Sequence, residues 1–230
     1  MKELLALADE ECTNMWDNLR LGYTECRGLP QLRAQLATEY SGFDLDNILC
    51  FAGAEEGIYC ALKTILHPTD HAIVLTPCYQ SLKSLPQSLC SISTLDLTPE
   101  NGWALDVNEV RKLVQPGVTK AIIFNFPHNP TGRVYPRALV EELVRVAVKH
   151  RCYVLYDSVY QRLDYVGWFV NPAFANPEWR NWVVSLSGLS KMDMFGASTG
   201  ARACGLVISD QIRANGVRAR EVLANLSAWL

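Results

Sequence analysis

The sequence predicts an α/β fold, in which helices flank a mostly parallel sheet. Short apolar segments rich in branched residues alternate with segments of helical spacing, which is typical of a parallel sheet covered by helices. The chain has 230 residues, 49% hydrophobic and 20% charged, so it is long enough to bury one sizeable core. No repeat, low-complexity tract or obvious linker divides it, and we expect one large domain.

Six apolar segments are predicted to be buried strands, because near-continuous apolar runs are typical of strands covered on both faces. They are 47–52, 71–76, 120–124, 152–156, 182–186 and 203–208. Helical spacing predicts helices over 3–19, from 28–30 onward, and over 55–66, 107–114 and 137–150. In the second helix Leu32 is expected on the apolar face and Arg33 on the opposite face. Right-handed crossovers would place the carboxyl ends of the strands along one edge, where ligands of such sheets bind.

Charge and composition favour small-molecule chemistry. The net charge is −3, and no block of Lys and Arg with interleaved aromatic residues indicates nucleic acid or an acidic membrane as a partner. Residues 1–10 carry acids where a secretory signal requires an apolar core, and no later run reaches membrane-spanning length. We therefore expect a cytoplasmic protein.

Cysteine and histidine spacing does not indicate a metal centre. The eight cysteines form no CxxC pair and no cluster with histidine. We expect reduced and mostly buried thiols. The cysteines are Cys12, Cys26, Cys50, Cys60, Cys78, Cys90, Cys152 and Cys204. The four histidines are dispersed, and we expect them on the surface or in loops. They are His67, His71, His128 and His150.

Two segments that follow the first predicted strands carry features of a ligand site. A small-residue turn at 53–56 leads directly into a helix, where free backbone N–H groups can bind a phosphate, although the same residues also suit a plain strand-to-helix turn. Tyr79 follows Thr76-Pro77-Cys78, and its ring can either stack on a flat heterocycle or pack under its own helix.

Two later segments add a fixed amide and an acid. Asn129 stands between Pro127 and Pro130, which restrict the backbone and hold the amide in one conformation, although Asn-Pro-Thr-Gly is also a serviceable turn. Asp157 ends an apolar strand, with Tyr160 three residues on. A carboxylate in that position needs a partner, which is either a cationic group of a ligand or the N-terminus of a helix.

Lys191 lies in the polar, glycine-rich segment 185–205, which begins as an apolar strand. Most lysines lie on solvated faces, so this residue alone is a weak indication of chemistry. The partners found upstream make it the expected centre of the site.

Taken in order, these segments resemble the class I and II aminotransferases, which are fold type I enzymes that use pyridoxal 5′-phosphate. The resemblance extends from Tyr23 to about Gly205. Its parts are Tyr23 with Gly28-Leu29-Pro30-Gln31-Leu32-Arg33, the turn at 53–56, Pro77-Cys78-Tyr79, Asn129-Pro130-Thr131-Gly132, Asp157 with Tyr160, and Ser190-Lys191 followed by Gly200-Ala201-Arg202. The resemblance implies an N-terminal helix in 1–22, a cofactor-binding large domain over 23–209 and a final helix in 210–230, without the family's small C-terminal domain.

For the cofactor ring, the resemblance implies the following roles. Lys191 would hold the cofactor as a Schiff base and then move a proton at the substrate α-carbon. Asp157 would pair with the pyridine nitrogen, and Tyr79 would stack on the ring. Asn129 and Tyr160 would hydrogen-bond the phenolic oxygen.

For the phosphate, the resemblance implies binding by the backbone N–H groups of Ala54 and Glu55, by Ser190 and by Arg202. Tyr23 would reach the phosphate site of a neighbouring subunit, which implies a homodimer. Two departures concern this part of the site. Gly188 replaces a hydroxyl residue of the family, and the interval from Lys191 to Arg202 is longer than usual.

The implied activity is transfer of an amino group between an amino acid and a 2-oxo acid. Two alternatives stay open: a truncated or degenerate domain that binds the cofactor or dimerises without transamination, and a lyase or decarboxylase that uses the same cofactor. A serine hydrolase is not favoured, because Gly196-Ala197-Ser198-Thr199-Gly200 is followed by no histidine.

Overall fold

The structure, a computed structural model, describes residues 6–20, 22–23, 25–40, 42–163, 171, 176–188, 191 and 204–207. Only the backbone is described for residues 204–207. Each helix in this part of the chain is too short or too polar to cross a membrane.

The described residues form seven strands and six α-helices, numbered here in chain order. The strands are β1 (Ile48–Phe51), β2 (His71–Thr76), β3 (Ser91–Asp96), β4 (Thr119–Asn125), β5 (Tyr153–Asp157), β6 (Val183–Gly188) and β7 (Cys204–Val207). The helices are α1 (Glu10–Asp17), α2 (Pro30–Ala37), α3 (Ala54–Ile65), α4 (Gln80–Leu89), α5 (Val107–Leu113) and α6 (Arg137–Lys149). Short 3₁₀ turns lie at Leu45–Asn47, Pro99–Asn101, Gln161–Leu163 and Pro177–Asn181.

All seven strands form one sheet, in the order β1-β7-β6-β5-β4-β2-β3. Strand β2 pairs with β3 and β4, and β5 pairs with β4 and β6, and all four pairs are parallel. Strand β7 runs antiparallel to both β6 and β1. Cys204 lies opposite both Gly188 and Phe51, so the start of β7 meets the carboxyl ends of its two neighbours. This sheet confirms the predicted α/β fold, and its parallel strands end along one edge, as expected.

The sheet separates two apolar cores because alternate residues of a strand point to opposite faces. In β4, Ile122 and Phe124 pack in one core with Leu143 of α6. Ile123 packs in the other core with Leu62 of α3. All of these side chains are at most 2% exposed.

Several predicted boundaries differ from the structure. Helix α1 begins at Glu10 rather than at residue 3, because the Asp9 carboxylate accepts a hydrogen bond from the Cys12 N–H (2.8 Å) and caps the helix there. Strand β3 and helix α4 were not predicted. Strand β3 is an edge strand with exposed ends and half-buried middle residues, and α4 contains Pro86, so neither has the pattern of a buried element.

The prediction that Arg33 lies on the polar face of its helix was wrong. Its side chain is 1% exposed. The guanidinium donates to the backbone carbonyls of Leu45 (2.7 Å) and Ile48 (3.1 Å) and pairs with the carboxylates of Glu25 and Asp46 (3.2 Å each). The helix therefore buries a hydrogen-bonded cation that connects the N-terminal segment to the start of β1.

Two of the histidines are buried, contrary to expectation. His71 begins β2 and is 1% exposed, and His128 lies in the loop after β4 and is 3% exposed. The seven described cysteines are all free thiols, but only Cys60 and Cys152 are buried, so the expectation of mostly buried thiols was too strong. No group of potential metal ligands is found in the described ranges.

Candidate functional site

The carboxyl edge of the sheet brings together most of the predicted site residues that the structure describes. Asp157 is the last residue of β5 and lies opposite Asn125, the last residue of β4. The loops and helix starts that follow β1, β2, β4 and β6 supply further polar groups at this edge, as the fold requires.

Asp157 is a buried acid at the carboxyl end of β5. Its side chain is 4% exposed, and the Val159 N–H donates to its Oδ1 (3.1 Å). Burial raises the pKa of Asp157 to about 7, opposed by that hydrogen bond and assisted by the charge of Glu55. No ion pair joins Asp157 to another described residue. The helix-cap alternative accounts only for the contact with Val159, since the next helical turn begins at Gln161.

Asn129 is held by the end of β4. Its backbone N–H donates to Oδ1 of Asn125 (2.8 Å), and Nδ2 of Asn125 donates to the backbone carbonyl of Asp157 (2.9 Å). The Asn129 side chain, half-buried, places its Nδ2 3.4 Å from the hydroxyl of Tyr160. The predicted amide and phenol therefore lie side by side.

Lys191, Tyr160 and Tyr79 form the open part of the site. Lys191 is exposed, and its Nζ lies 5.9 Å from the centroid of the Tyr160 ring. Burial, and then the charges of Asp157 and Tyr79, raise the pKa of Tyr160, so its hydroxyl is neutral at physiological pH. Tyr79 is 50% exposed, which excludes the alternative that its ring is packed under its own helix.

The turn before α3 leaves backbone donors at the same edge. Gly53 has a φ of 134°, which favours glycine, and no side chain caps the helix. The Glu56 carboxylate accepts from the Ala52 N–H (2.8 Å), and the Glu55 carboxylate accepts from the Ser81 hydroxyl (2.8 Å). Both carboxylates therefore accept hydrogen bonds from groups other than the first N–H groups of the helix.

Other predicted residues lie apart from this group. Tyr23 is 99% exposed. Gly188 ends β6 with Ser187, and both are buried. Ser190, Arg202 and the segment 196–200 lie outside the described residues.

Sequence reasoning missed Asn125 and His128. Asn125 is 2% exposed and makes two hydrogen bonds, and the available signal was a polar amide directly after an apolar strand. The Nδ1 of His128 lies 2.7 Å from the hydroxyl of Thr131, and burial lowers the pKa of this histidine. Nothing in the composition distinguished His128 from the other three histidines.

The donor set suits one class of ligand. A buried acid that pairs with no described cation fits a protonated ring nitrogen, and an exposed aromatic face fits a flat ring. The amide of Asn129 and the hydroxyl of Tyr160 suit a ring oxygen, and the uncapped N–H groups of α3 suit a phosphate. Lys191 adds a primary amine that can react with a carbonyl carbon.

Comparison with known proteins identifies relatives over nearly the whole chain. The family model for aminotransferase class I and II matches residues 11–228. An aspartate/prephenate aminotransferase of Thermus thermophilus is 32% identical over 162 residues, which are 68% of this chain and 42% of that protein.

Solved structures share the fold. An aspartate aminotransferase of Thermus thermophilus with maleate has a TM-score of 0.78 at 24% identity, over 94% of this chain and 58% of that one. A PLP-dependent aminotransferase of Streptococcus suis also has a TM-score of 0.78, at 26% identity, over 98% of this chain and 62% of that one. The chain spans about half the length of the curated relatives that it matches.

Proposed function

The chain belongs to the aminotransferase class I and II family, and on that premise we propose that it binds pyridoxal 5′-phosphate and transfers an amino group between an amino acid and a 2-oxo acid. The observation that carries the proposal is the arrangement around Tyr160. Its ring lies below the amine of Lys191, and burial, followed by the charge of Asp157, raises the pKa of its hydroxyl.

When bound, pyridoxal 5′-phosphate supplies an electron sink that stabilises negative charge at the substrate α-carbon. Asp157 would hold the proton on the ring nitrogen. A positive charge beside this acid would offset the effect of burial that raises its pKa to about 7, so binding would restore the carboxylate.

The remaining ring contacts follow from the geometry of the loop after β4. Asn129 and Tyr160, with their polar atoms 3.4 Å apart, would both donate to the phenolic oxygen. Tyr79 would cover one face of the ring and exclude water from it. Lys191 would hold the cofactor covalently through Nζ, and once its amine is free, Nζ would take and return the proton of the substrate α-carbon.

The phosphate would be bound by the N–H groups of Ala54 and Glu55 at the start of α3, with the hydroxyl of Ser190 and the guanidinium of Arg202. Cys204, two residues after Arg202 in the sequence, lies at this edge opposite Gly188. The exposure of Tyr23 is consistent with a role in a second subunit, so a homodimer is part of the proposal.

Three further predictions belong to the proposal. They are the division into 1–22, 23–209 and 210–230, a cytoplasmic location, and amino and 2-oxo acids as the substrates.

The test is a titration of the purified chain with pyridoxal 5′-phosphate, followed by visible absorbance and by borohydride reduction with peptide mass spectrometry. We expect a new visible band and a covalently retained cofactor on the peptide that contains Lys191. Both should be lost in Lys191→Ala and kept in Lys149→Ala, a control at an exposed lysine at the end of α6. Equal labelling of the wild type and Lys191→Ala would refute the site.

Amino transfer is tested separately by adding single amino acids to the loaded chain. A spectral change that a 2-oxo acid reverses would support transamination. A stable band that no amino acid changes would support the alternative of a cofactor-binding domain without transamination.

A further inference from the structure

Asn125 joins two residues of the proposed site through one side chain. It ends β4 directly opposite Asp157 in the parallel register, and it is 2% exposed. Its Oδ1 accepts from the backbone N–H of Asn129 (2.8 Å), and its Nδ2 donates to the backbone carbonyl of Asp157 (2.9 Å).

The two partners fix the orientation of this amide. A backbone N–H can only donate and a backbone carbonyl can only accept, so Oδ1 must face Asn129 and Nδ2 must face Asp157. A carboxylate in this place could not donate to Asp157, and an apolar side chain could do neither. A short amide satisfies both groups at once in this buried position.

The hydrogen bonds of Asn129 show what the Asn125 side chain controls. Its backbone N–H is bound by Asn125, whereas its side chain extends toward the hydroxyl of Tyr160. The carbonyl of Asp157 also accepts from the Phe126 N–H (3.1 Å), so it keeps a partner if Asn125 is removed. Among the hydrogen bonds that the structure describes, the backbone of Asn129 has no partner other than Asn125.

We propose that Asn125 is a positioning residue that fixes the Asn129 amide relative to Asp157, so that both can contact one cofactor ring at the same time. The inference rests on the proposed function, because its consequence is read on bound pyridoxal 5′-phosphate. A donor held at the phenolic oxygen favours the deprotonated, charged form of the ring system. The visible absorbance of the bound cofactor changes with pH as the ring system loses its proton. Loss of that donor should raise the pH midpoint of this change by about one pH unit.

The experiment is a double-mutant cycle on the loaded chain, with that pH midpoint as the readout. We expect Asn125→Ala to raise the midpoint by about one pH unit in the wild-type background. In the background of Asn129→Ala the same change should shift it by less than a third of that amount, because the residue through which Asn125 acts is gone.

Two further variants separate positioning from folding. Asn125→Leu keeps the number and branching of the side-chain heavy atoms while removing both hydrogen bonds, and it should shift the midpoint as Asn125→Ala does. Thr119→Val is the matched control at the opposite end of β4, where Thr119 is 3% exposed and accepts from the Gln115 N–H (2.8 Å). It should lower stability and leave the midpoint unchanged.

Equal shifts in both backgrounds, or no shift in either Asn125 variant, would overturn the inference. Hydrogen–deuterium exchange of the cofactor-free chain gives an independent reading. Exchange in 126–133 should rise several-fold in Asn125→Leu and stay unchanged in Thr119→Val. If the wild type forms no visible band, the proposed function fails, and the exchange result alone decides whether Asn125 fixes the loop.

Discussion

The Nζ atom of Lys191 lies 5.9 Å from the centroid of the Tyr160 ring. The hydroxyl of the same tyrosine lies 3.4 Å from Nδ2 of Asn129. Tyr160 therefore contacts the proposed reactive amine with its ring and the proposed ring-oxygen donor with its hydroxyl. These two contacts can be separated by substitution.

Tyr160→Phe keeps the ring beneath Lys191 and removes only the hydroxyl. We expect cofactor affinity to fall roughly tenfold, which corresponds to one lost hydrogen bond, while borohydride labelling of Lys191 is retained. Absorbance titration and peptide mass spectrometry measure the two quantities. Tyr59→Phe, at an exposed tyrosine on α3, is the control and should change neither. Loss of Lys191 labelling in Tyr160→Phe would show that the hydroxyl is needed for more than cofactor affinity.

Asp157→Asn should stabilise the cofactor-free chain at neutral pH while weakening cofactor binding. The pKa of Asp157 rises from 3.8 to about 7 on folding, so between these values the folded chain binds more protons than the unfolded chain. Its contribution to stability is therefore full below about pH 4 and is lost as the pH rises through 7. At pH 8 the variant should gain up to about 4 kcal/mol.

Urea unfolding of the cofactor-free chain at pH 4 and pH 8 measures this effect. The gain should fall to less than about 1 kcal/mol at pH 4, where the folded wild-type acid is protonated and the unfolded acid is only about half ionised. Asp17→Asn, at the exposed end of α1, is the control and should show no such difference. A gain of equal size at both pH values would contradict the assignment of the effect to ionisation of Asp157.

The sheet and the alignment of its strand ends could be predicted because they depend on local patterns. Asp157 follows a run of buried apolar residues, and Asn129 follows another, so the ends of the strands were visible in the sequence. Strand β3 was missed because edge strands such as Ser91–Asp96 are only half covered and contain polar residues.

Buried polar residues could not be predicted because their partners are distant in the sequence. Arg33 is satisfied by carbonyls twelve and fifteen residues away, and His71 by a hydroxyl forty-eight residues away. A helical pattern alone assigns a lone arginine to the solvent, since it contains no information about those carbonyls. The same reason explains why the bridging role of Asn125 was not visible.

Arg33→Met should destabilise the chain by about 3 kcal/mol or more. The substitution leaves the carbonyls of Leu45 and Ile48 buried without this donor. Chemical unfolding measures the loss. Arg27→Met removes only a pair between half-exposed groups, with Asp46, and should cost less than about 1 kcal/mol. Similar losses in the two variants would show that burial does not set the contribution of Arg33.

Gly28→Ala should be strongly destabilising. Gly28 has a φ of +101°, and a Cβ atom there would lie 2.4 Å from the Cβ of Cys50. Strain and overlap together should cost about 3 kcal/mol or more. Gly102→Ala is the matched control, because Gly102 also has a positive φ (+66°) but no atom within 4 Å of the added Cβ. It should cost about 1 kcal/mol, and an equal loss at both positions would contradict the predicted overlap with Cys50.

His71 should make the chain less stable in mild acid. Its Nδ1 lies 2.9 Å from the Thr119 hydroxyl and its Nε2 2.9 Å from the Ser93 hydroxyl, and burial lowers the pKa of His71 below 6.5. Below pH 6.5 the unfolded chain therefore binds more protons at this histidine, so the contribution of His71 to stability falls as the pH falls, opposite in sign to that of Asp157. His71→Gln should cost about 1–3 kcal/mol at pH 7.5 and cost less at pH 5.5, measured by urea unfolding in the Asp157→Asn background. His67→Gln, at a half-exposed histidine, should keep the wild-type pH dependence. An unchanged pH dependence in His71→Gln would assign the acid sensitivity to another group.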